Sequence, residues 1–338
     1  MKAGRILAPK KLELSEVPVP QILNDGESLV NLQSWSICGS DIRDSYGPLF
    51  SEEKYPMQWG AHCHEAVGII TKSGSSDFPE GQRVIVLPSP AIPGESSDPG
   101  RGAGLLAEYV IGNHSRMIKI PSSGDPMEWV MCQPSGTVLY ACQLLGTILG
   151  KNIMVLGQGA IGLSFTAILS RAGARKVIAV DSLDYRLDKA KELGATHVIN
   201  YQNQDLEQSI KEINNGEYPD VTIEAAGHAE AFNTALKIVK PLGQILIFGK
   251  LLKDEQGTLA TIETEHLLHH GATIINSSAV NSGDPTSHIE RMVELKKRGW
   301  WDPSTMITHN MNFSDIQKAY DMYENQDDNI IKVVLNQD

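Results

Sequence analysis

Between residues 135 and 275, short apolar runs alternate with stretches in which apolar side chains recur every three or four positions. The runs 153–156, 177–180, 197–199, 221–223, 244–248 and 273–275 predict buried strands. The periodic stretches 137–149, 160–172 and 185–193 predict helices. Strands alternating with helices specify a doubly wound parallel sheet, an α/β arrangement. The chain before residue 135 has another texture. Its strands, 29–33, 66–71 and 83–87, are separated by clusters of Gly, Pro, Ser and Asp, and residues 88–103 form a Pro/Gly/Ser loop. After residue 276 the pattern predicts a helix over 285–298, a second over 313–324 capped by Ser314 or Asn312, and a strand over 330–335. These do not continue the alternation. They are expected to rejoin the first part, giving one domain from 1–134 with 276–338 and another from 135–275.

Composition narrows the function. Hydrophobic residues make up 41% and charged residues 21% of 338, enough for buried cores. With 29 Lys and Arg against 41 Asp and Glu, the net charge of -12 repels phosphate backbones and anionic lipid, which argues against nucleic-acid and membrane partners. The start, MKAGRILAPK, has no long apolar segment, and the nearly uncharged run 138–150 is too short to span a bilayer, so a cytoplasmic protein is expected. Cys38, Cys63, Cys132 and Cys142 form no CxxC pair, which leaves them as single metal ligands or small core residues.

Chemistry enters at Gly157, Gly159 and Gly162, a GxGxxG directly after a predicted strand, with Ala160 and Ile161 opening the next helix. In a dinucleotide site the first glycine makes the turn, the second admits the pyrophosphate and the third lets helix pack on strand. Asp181 closes the following strand, where a carboxylate can accept both adenosine ribose hydroxyls. The competing reading is an Asp that caps the helix starting near Asp184. Arg186, nearby, can soften rejection of a 2′-phosphate. In the first domain, Cys38-Gly39-Ser40-Asp41 and, 26 positions after Cys38, His64-Glu65 offer a thiolate, an imidazole and carboxylates suited to zinc. Spacing alone would not distinguish them from a core cysteine and a surface histidine.

The joint set does. CGSD, then His-Glu before AVGII, then GQRV, AEYV, GxGxxG and a closing IKVVL resemble the medium-chain zinc alcohol dehydrogenases, nearest the polyol, sorbitol and glucose branch. The resemblance implies a GroES-like, mostly-β catalytic domain beside a Rossmann NAD-binding domain. It implies one catalytic Zn2+ on Cys38 and His64, with Asp41 orienting the histidine, Glu65 beside the metal and Ser40 contacting the substrate oxygen. Thr137 falls where the family contacts nicotinamide, Lys332 where a basic residue reaches the pyrophosphate, and Ala226 and Gly227 on the loop bordering the adenosine. The implied activity is NAD-linked oxidation of a secondary alcohol (a polyol, sugar or cyclitol) by a homo-oligomer, dimer or tetramer, with substrate contacts from loops 46–59 and 88–103.

The chain departs from that pattern in four places. Gln133, before Pro134, stands where the branch has a Glu ligand, so the third ligand is either Glu65 or Gln133; Cys132 is adjacent and reads as core. Arg43 replaces the relay histidine and stays protonated. The loop 88–103 has no cysteine, so no structural zinc is expected, and Cys63 replaces the glycine before His64. His62 reads as solvent-facing or pocket lining and not as a ligand, and the His269-His270 pair as surface. Two other functions stay open: a zinc-free NAD(P)H-dependent reductase of the same fold, and a non-catalytic NAD-binding protein.

Overall fold

The computed structural model describes residues 1–21, 24–47, 54–88, 104–249, 261–279 and 282–338. The chain forms two compact units, Met1–Pro134 with Pro285–Asp338, and Ser135–Asp284.

The first unit is built on a seven-stranded sheet whose central strand, Glu27–Ser36, buries alternate residues. This strand runs antiparallel to Ala66–Ser73 on one side and to Val333–Asn336 on the other, with Trp35 opposite both Ala66 and Leu335. The C-terminal end of one strand therefore meets the N-terminal starts of two others. Cys38, His64-Glu65 and Lys332 follow or precede those three ends, and the pairing collects them at one edge of the sheet. Beneath them lies the core. Trp35 stacks on Phe313 at 4.4 Å between ring centres, and its indole N–H donates to the Leu105 carbonyl at 2.8 Å.

The second unit is a six-stranded parallel sheet. Its spatial order is His197–Asn200, Lys176–Asp181, Asn152–Leu156, Val221–Glu224, Gln244–Ile247, Thr273–Asn276. In chain order that is 3-2-1-4-5-6, so the direction of winding reverses between Asn152–Leu156 and Val221–Glu224. The carboxyl ends of those two strands bound the crevice where such sheets take ligands.

The predicted strands of this sheet appear within one residue at each end. Helix ends differ more. The helix expected over 137–149 spans Cys132–Leu144. It starts earlier because Pro134 lies in its first turn, where a missing N–H costs nothing, and it stops before Gly146, which has φ +67°. The helix expected over 313–324 begins as a 3-10 turn, Phe313–Asp315, and becomes α-helical over Ile316–Asn325. Neither Asn312 nor Ser314 caps it: Asp315 holds the cap position without a side-chain bond, and the Ser314 hydroxyl donates instead to Asp338. The final strand starts at Val333, later than expected, because a 3-10 turn over Asp327–Asn329 precedes it.

Candidate active site

Three ligand atoms lie together at the sheet edge of the first unit. The Cys38 sulfur, an imidazole nitrogen of His64 and a carboxylate oxygen of Glu65 are all within 4.8 Å of one another, the one such group of three or more His, Cys, Asp and Glu side chains among the described residues. Cys38 precedes the short helix Gly39–Asp41, and its N–H donates to Asp41 Oδ2 at 2.9 Å. The other oxygen of Asp41 lies 3.0 Å from His64 Nδ1. Asp41 thus ties the cysteine loop to the histidine and leaves His64 Nε2 directed to the ligand cluster, 3.9 Å from Glu65 Oε1. Burial disfavours both charges, but the pair outweighs it. The Asp41 carboxyl is held below its usual range by His64, and His64 is pushed well up by Asp41 and Cys38.

Glu65 is fully buried. Its Oε2 pairs with Lys332 Nζ at 2.8 Å, whereas Oε1 has no hydrogen-bond donor among the described residues. A buried carboxylate oxygen without a donor, beside a thiol and an imidazole, fits a divalent metal ion. Lys332, matched to the pyrophosphate by resemblance, is 1% exposed and spends its charge on Glu65. Burial lowers the affinity of its amine for a proton, but the Glu65 carboxylate raises it further and keeps it charged. Gln133 is buried in the first turn of Cys132–Leu144, and Ser40 is half-buried in Gly39–Asp41. Arg43 lies in the π-helical turn Ile42–Tyr46. Cys63, Cys132 and Cys142 are buried, and burial raises all three thiols, Cys132 to about 12, which removes them as neutral-pH thiolates.

His62, read from the sequence as solvent-facing or pocket lining, is half-buried. Its Nδ1 lies 2.5 Å from Ser45 Oγ, and its backbone sits at φ +61°, a left-handed conformation costly for a non-glycine residue. That φ was not visible in the pattern, although a histidine two residues before a ligand was the available signal. Tyr46, at the start of an expected substrate loop, belongs to the core. It is fully buried, and its hydroxyl contacts Asp321 and the Lys10 carbonyl. Of the expected substrate loops 46–59 and 88–103, residues 48–53 and 89–103 lie outside the described residues, while 54–59 are described, with Met57 buried in the core.

In the second unit, the three glycines do three different things. Gly157 turns at φ +88° against Ala226. At Gly162 a Cβ would lie 1.8 Å from the Gly157 carbonyl oxygen, so only glycine lets the helix Ala160–Arg171 approach. At Gly159, the N-cap, a Cβ would meet nothing within 4 Å. That open space, before the free N–H groups of Ala160 and Ile161, is a cradle of the kind a pyrophosphate occupies. Ala226 and Gly227 donate to Glu224 Oε1 at 2.8 and 2.6 Å, which fixes the opposite lip. Asp181 Oδ2 accepts from Gln158 N at 2.6 Å, and Oδ1 accepts from the N–H groups of Ser182 and Leu183. The Asp181 side chain thus forms the turn before the helix Asp184–Leu193 and does not cap it, since Leu183 holds the cap position without a side-chain bond. Arg186 lies 3.9 Å from its carboxylate and packs against Tyr185. Thr137 is half-buried on the helix Cys132–Leu144.

Residues 24–122 match the alcohol dehydrogenase GroES-like domain, and residues 160–296 match zinc-binding dehydrogenases. A sorbitol dehydrogenase of Bombyx mori is 31% identical, with 70% of this chain and 74% of that protein covered. The chain belongs to the zinc-type medium-chain alcohol dehydrogenases. An alcohol dehydrogenase of Cupriavidus necator is 28% identical over 99% of this chain and 98% of its own. Among solved structures, an Escherichia coli oxidoreductase/dehydrogenase of unknown specificity superposes with a TM-score of 0.85 at 26% identity, both chains fully covered. The protein is an NAD-dependent oxidoreductase of alcohols, with zinc and a nicotinamide cofactor. No helix among the described residues is long and apolar enough to cross a membrane.

Proposed function

We propose that this enzyme holds one catalytic zinc on Cys38, His64 and Glu65 and oxidises a secondary alcohol, a polyol, sugar or cyclitol, with NAD. The observation that carries the reading is the donor-free Glu65 Oε1 beside the Cys38 sulfur and His64 Nε2. When bound, the metal lowers the pKa of the alcohol and the nicotinamide takes up its hydride. The chain supplies the rest. Asp41 holds the His64 tautomer that frees Nε2, and Lys332 keeps Glu65 ionised and in place. Ser40 relays the proton of the alcohol, accepting it as its own hydroxyl proton passes on to solvent water. Arg43 cannot be the final base, because a guanidinium does not deprotonate near neutral pH. Gln133 would add a weak carbonyl ligand to the metal or a hydrogen-bond partner for water at the site.

Gly157, Gly159, Gly162, Ala160 and Ile161 take the pyrophosphate, Thr137 the nicotinamide, and Ala226 and Gly227 border the adenosine, where Asp181 faces the ribose. Like charges about 4 Å apart at an effective dielectric of about 20 repel by roughly 4 kcal/mol, so NAD is favoured over NADP by up to about a thousandfold. Arg186, beside Asp181, reduces that margin. A homo-oligomer completes the reading. Strand Thr273–Asn276 is the outer strand of its sheet and largely exposed, Ile274 included, and Leu242 and Leu268 on neighbouring segments are exposed as well.

The test is NADH formation by zinc-loaded enzyme across polyols, aldoses, cyclitols and simple secondary alcohols, with NADP run in parallel. Turnover of simple alcohols alone would refute the substrate class, and equal efficiency with NADP would refute the role of Asp181. Light scattering that returned a monomer would remove the oligomer.

A further inference from the structure

The helix Thr264–His270 carries His266, His269 and His270, which the alcohol chemistry does not use. His266 and His270 are four residues apart, so their rings share one face of the helix. The ring centres are 6.2 Å apart, and His269 adds a third ring 5.9 Å from His270. Glu263, the residue before the helix, places Oε2 3.8 Å from His266 Nε2. The Nδ1 of His270 is buried without a hydrogen-bond partner, while its ring packs against Tyr218 at 6.3 Å.

We propose that His266 and His270 form a second metal site, for a borderline divalent ion such as zinc, nickel or copper, with Glu263 as an auxiliary ligand. The three ligand atoms do not all lie within 4.8 Å of one another as they stand, so an ion would have to draw the rings together. With metal–nitrogen bonds of about 2.1 Å, each ring centre lies roughly 3.2 Å from the metal, and a tetrahedral angle puts the centres about 5.2 Å apart. Side-chain rotation covers the remaining difference of about 1 Å, because both rings are on exposed or half-exposed positions of one short helix. Two imidazoles and one carboxylate suit zinc, nickel and copper, whereas calcium and magnesium need more oxygen ligands than this face offers. A bound ion links the N-cap to the last turn of a seven-residue helix. It would thereby brace the segment that leads into the outer strand Thr273–Asn276.

The experiment is equilibrium dialysis of the zinc-loaded enzyme against Ni2+, with Cu2+ electron paramagnetic resonance to count nitrogen donors. Wild type is expected to take up one further equivalent and to show two nitrogen ligands. Either His266→Gln or His270→Gln should weaken that equivalent by about a hundredfold, the scale on which two linked ligands exceed one. His269→Gln should retain it, and Cys38→Ser should retain it while losing the tightly held zinc. A wild type that binds no further equivalent overturns the proposal. So does a His266→Gln/His270→Gln double variant that binds nickel as wild type does. The Cys38→Ser protein separates this result from the reading of the catalytic cluster, since the two sites are lost independently.

Discussion

Replacing Lys332 with Met tests the catalytic cluster from its buried side. The ammonium lies 2.8 Å from Glu65 Oε2, and both side chains are no more than 2% exposed. Removing it leaves a buried carboxylate whose remaining ionisable neighbour is His64, at 3.9 Å, a change that costs up to about 3–5 kcal/mol in metal-free protein. If Glu65 faces the metal, zinc offers the same charge a new partner. The zinc-loaded protein then loses less. Recovery of about 2 kcal/mol, roughly half of the penalty, corresponds to zinc bound about thirtyfold more tightly than in wild type. Urea unfolding of metal-free and zinc-loaded protein gives the two stability losses, and competition with a chromogenic chelator gives the affinity directly. Lys332→Arg keeps the charge and should change neither by much. Equal destabilisation with and without zinc, together with unchanged zinc affinity, would refute the placement of Glu65 toward the metal.

Three further outcomes follow from the same structure. Glu65→Gln should lose much of both zinc and activity while Gln133→Glu retains zinc at least as well as wild type; metal analysis after dialysis against a weak chelator checks both, and the reverse pattern would make Gln133 the ordinary third ligand. Gly159→Ala should fold normally but bind NADH more weakly, because its Cβ enters open space, whereas Gly162→Ala should lower the melting temperature, because its Cβ would overlap the Gly157 carbonyl; fluorescence titration and calorimetry separate the two. Asp220 is held below the usual carboxylate range: burial opposes this, but the Lys240 ammonium and the Asn152 N–H prevail. A depressed folded-state pKa contributes stability above the unfolded value of about 3.9 and loses it as pH falls through the folded value, so Asp220→Asn should flatten the acid limb of the stability curve below about pH 4. An unchanged acid limb would contradict that assignment.

The parallel sheet was legible in the chain because its inner strands are buried on both faces and each helix carries its own period, so local pattern and final position coincide. The glycine triplet was legible for the same reason: the turn, the open cradle and the close packing are all made within six residues. Helix boundaries were less so, since Pro134 reads as a breaker until its place in a first turn is seen. Cys38, Asp41, His64 and Glu65 stood out as residue types in an order that resembled a known family, but nothing in their spacing fixed a distance. What brought them together was the antiparallel register of Glu27–Ser36 with two strands far apart in the chain. That register also brought Lys332 against Glu65, a contact that the resemblance, which matched Lys332 to the pyrophosphate, did not name. Likewise, only the folded structure showed that Asp181 spends lone pairs on three backbone N–H groups. The sequence by itself determined which elements form and which chemical groups are available. Tertiary structure decided which groups meet, because strand register is set by burial across the whole sheet and is not encoded by any one segment.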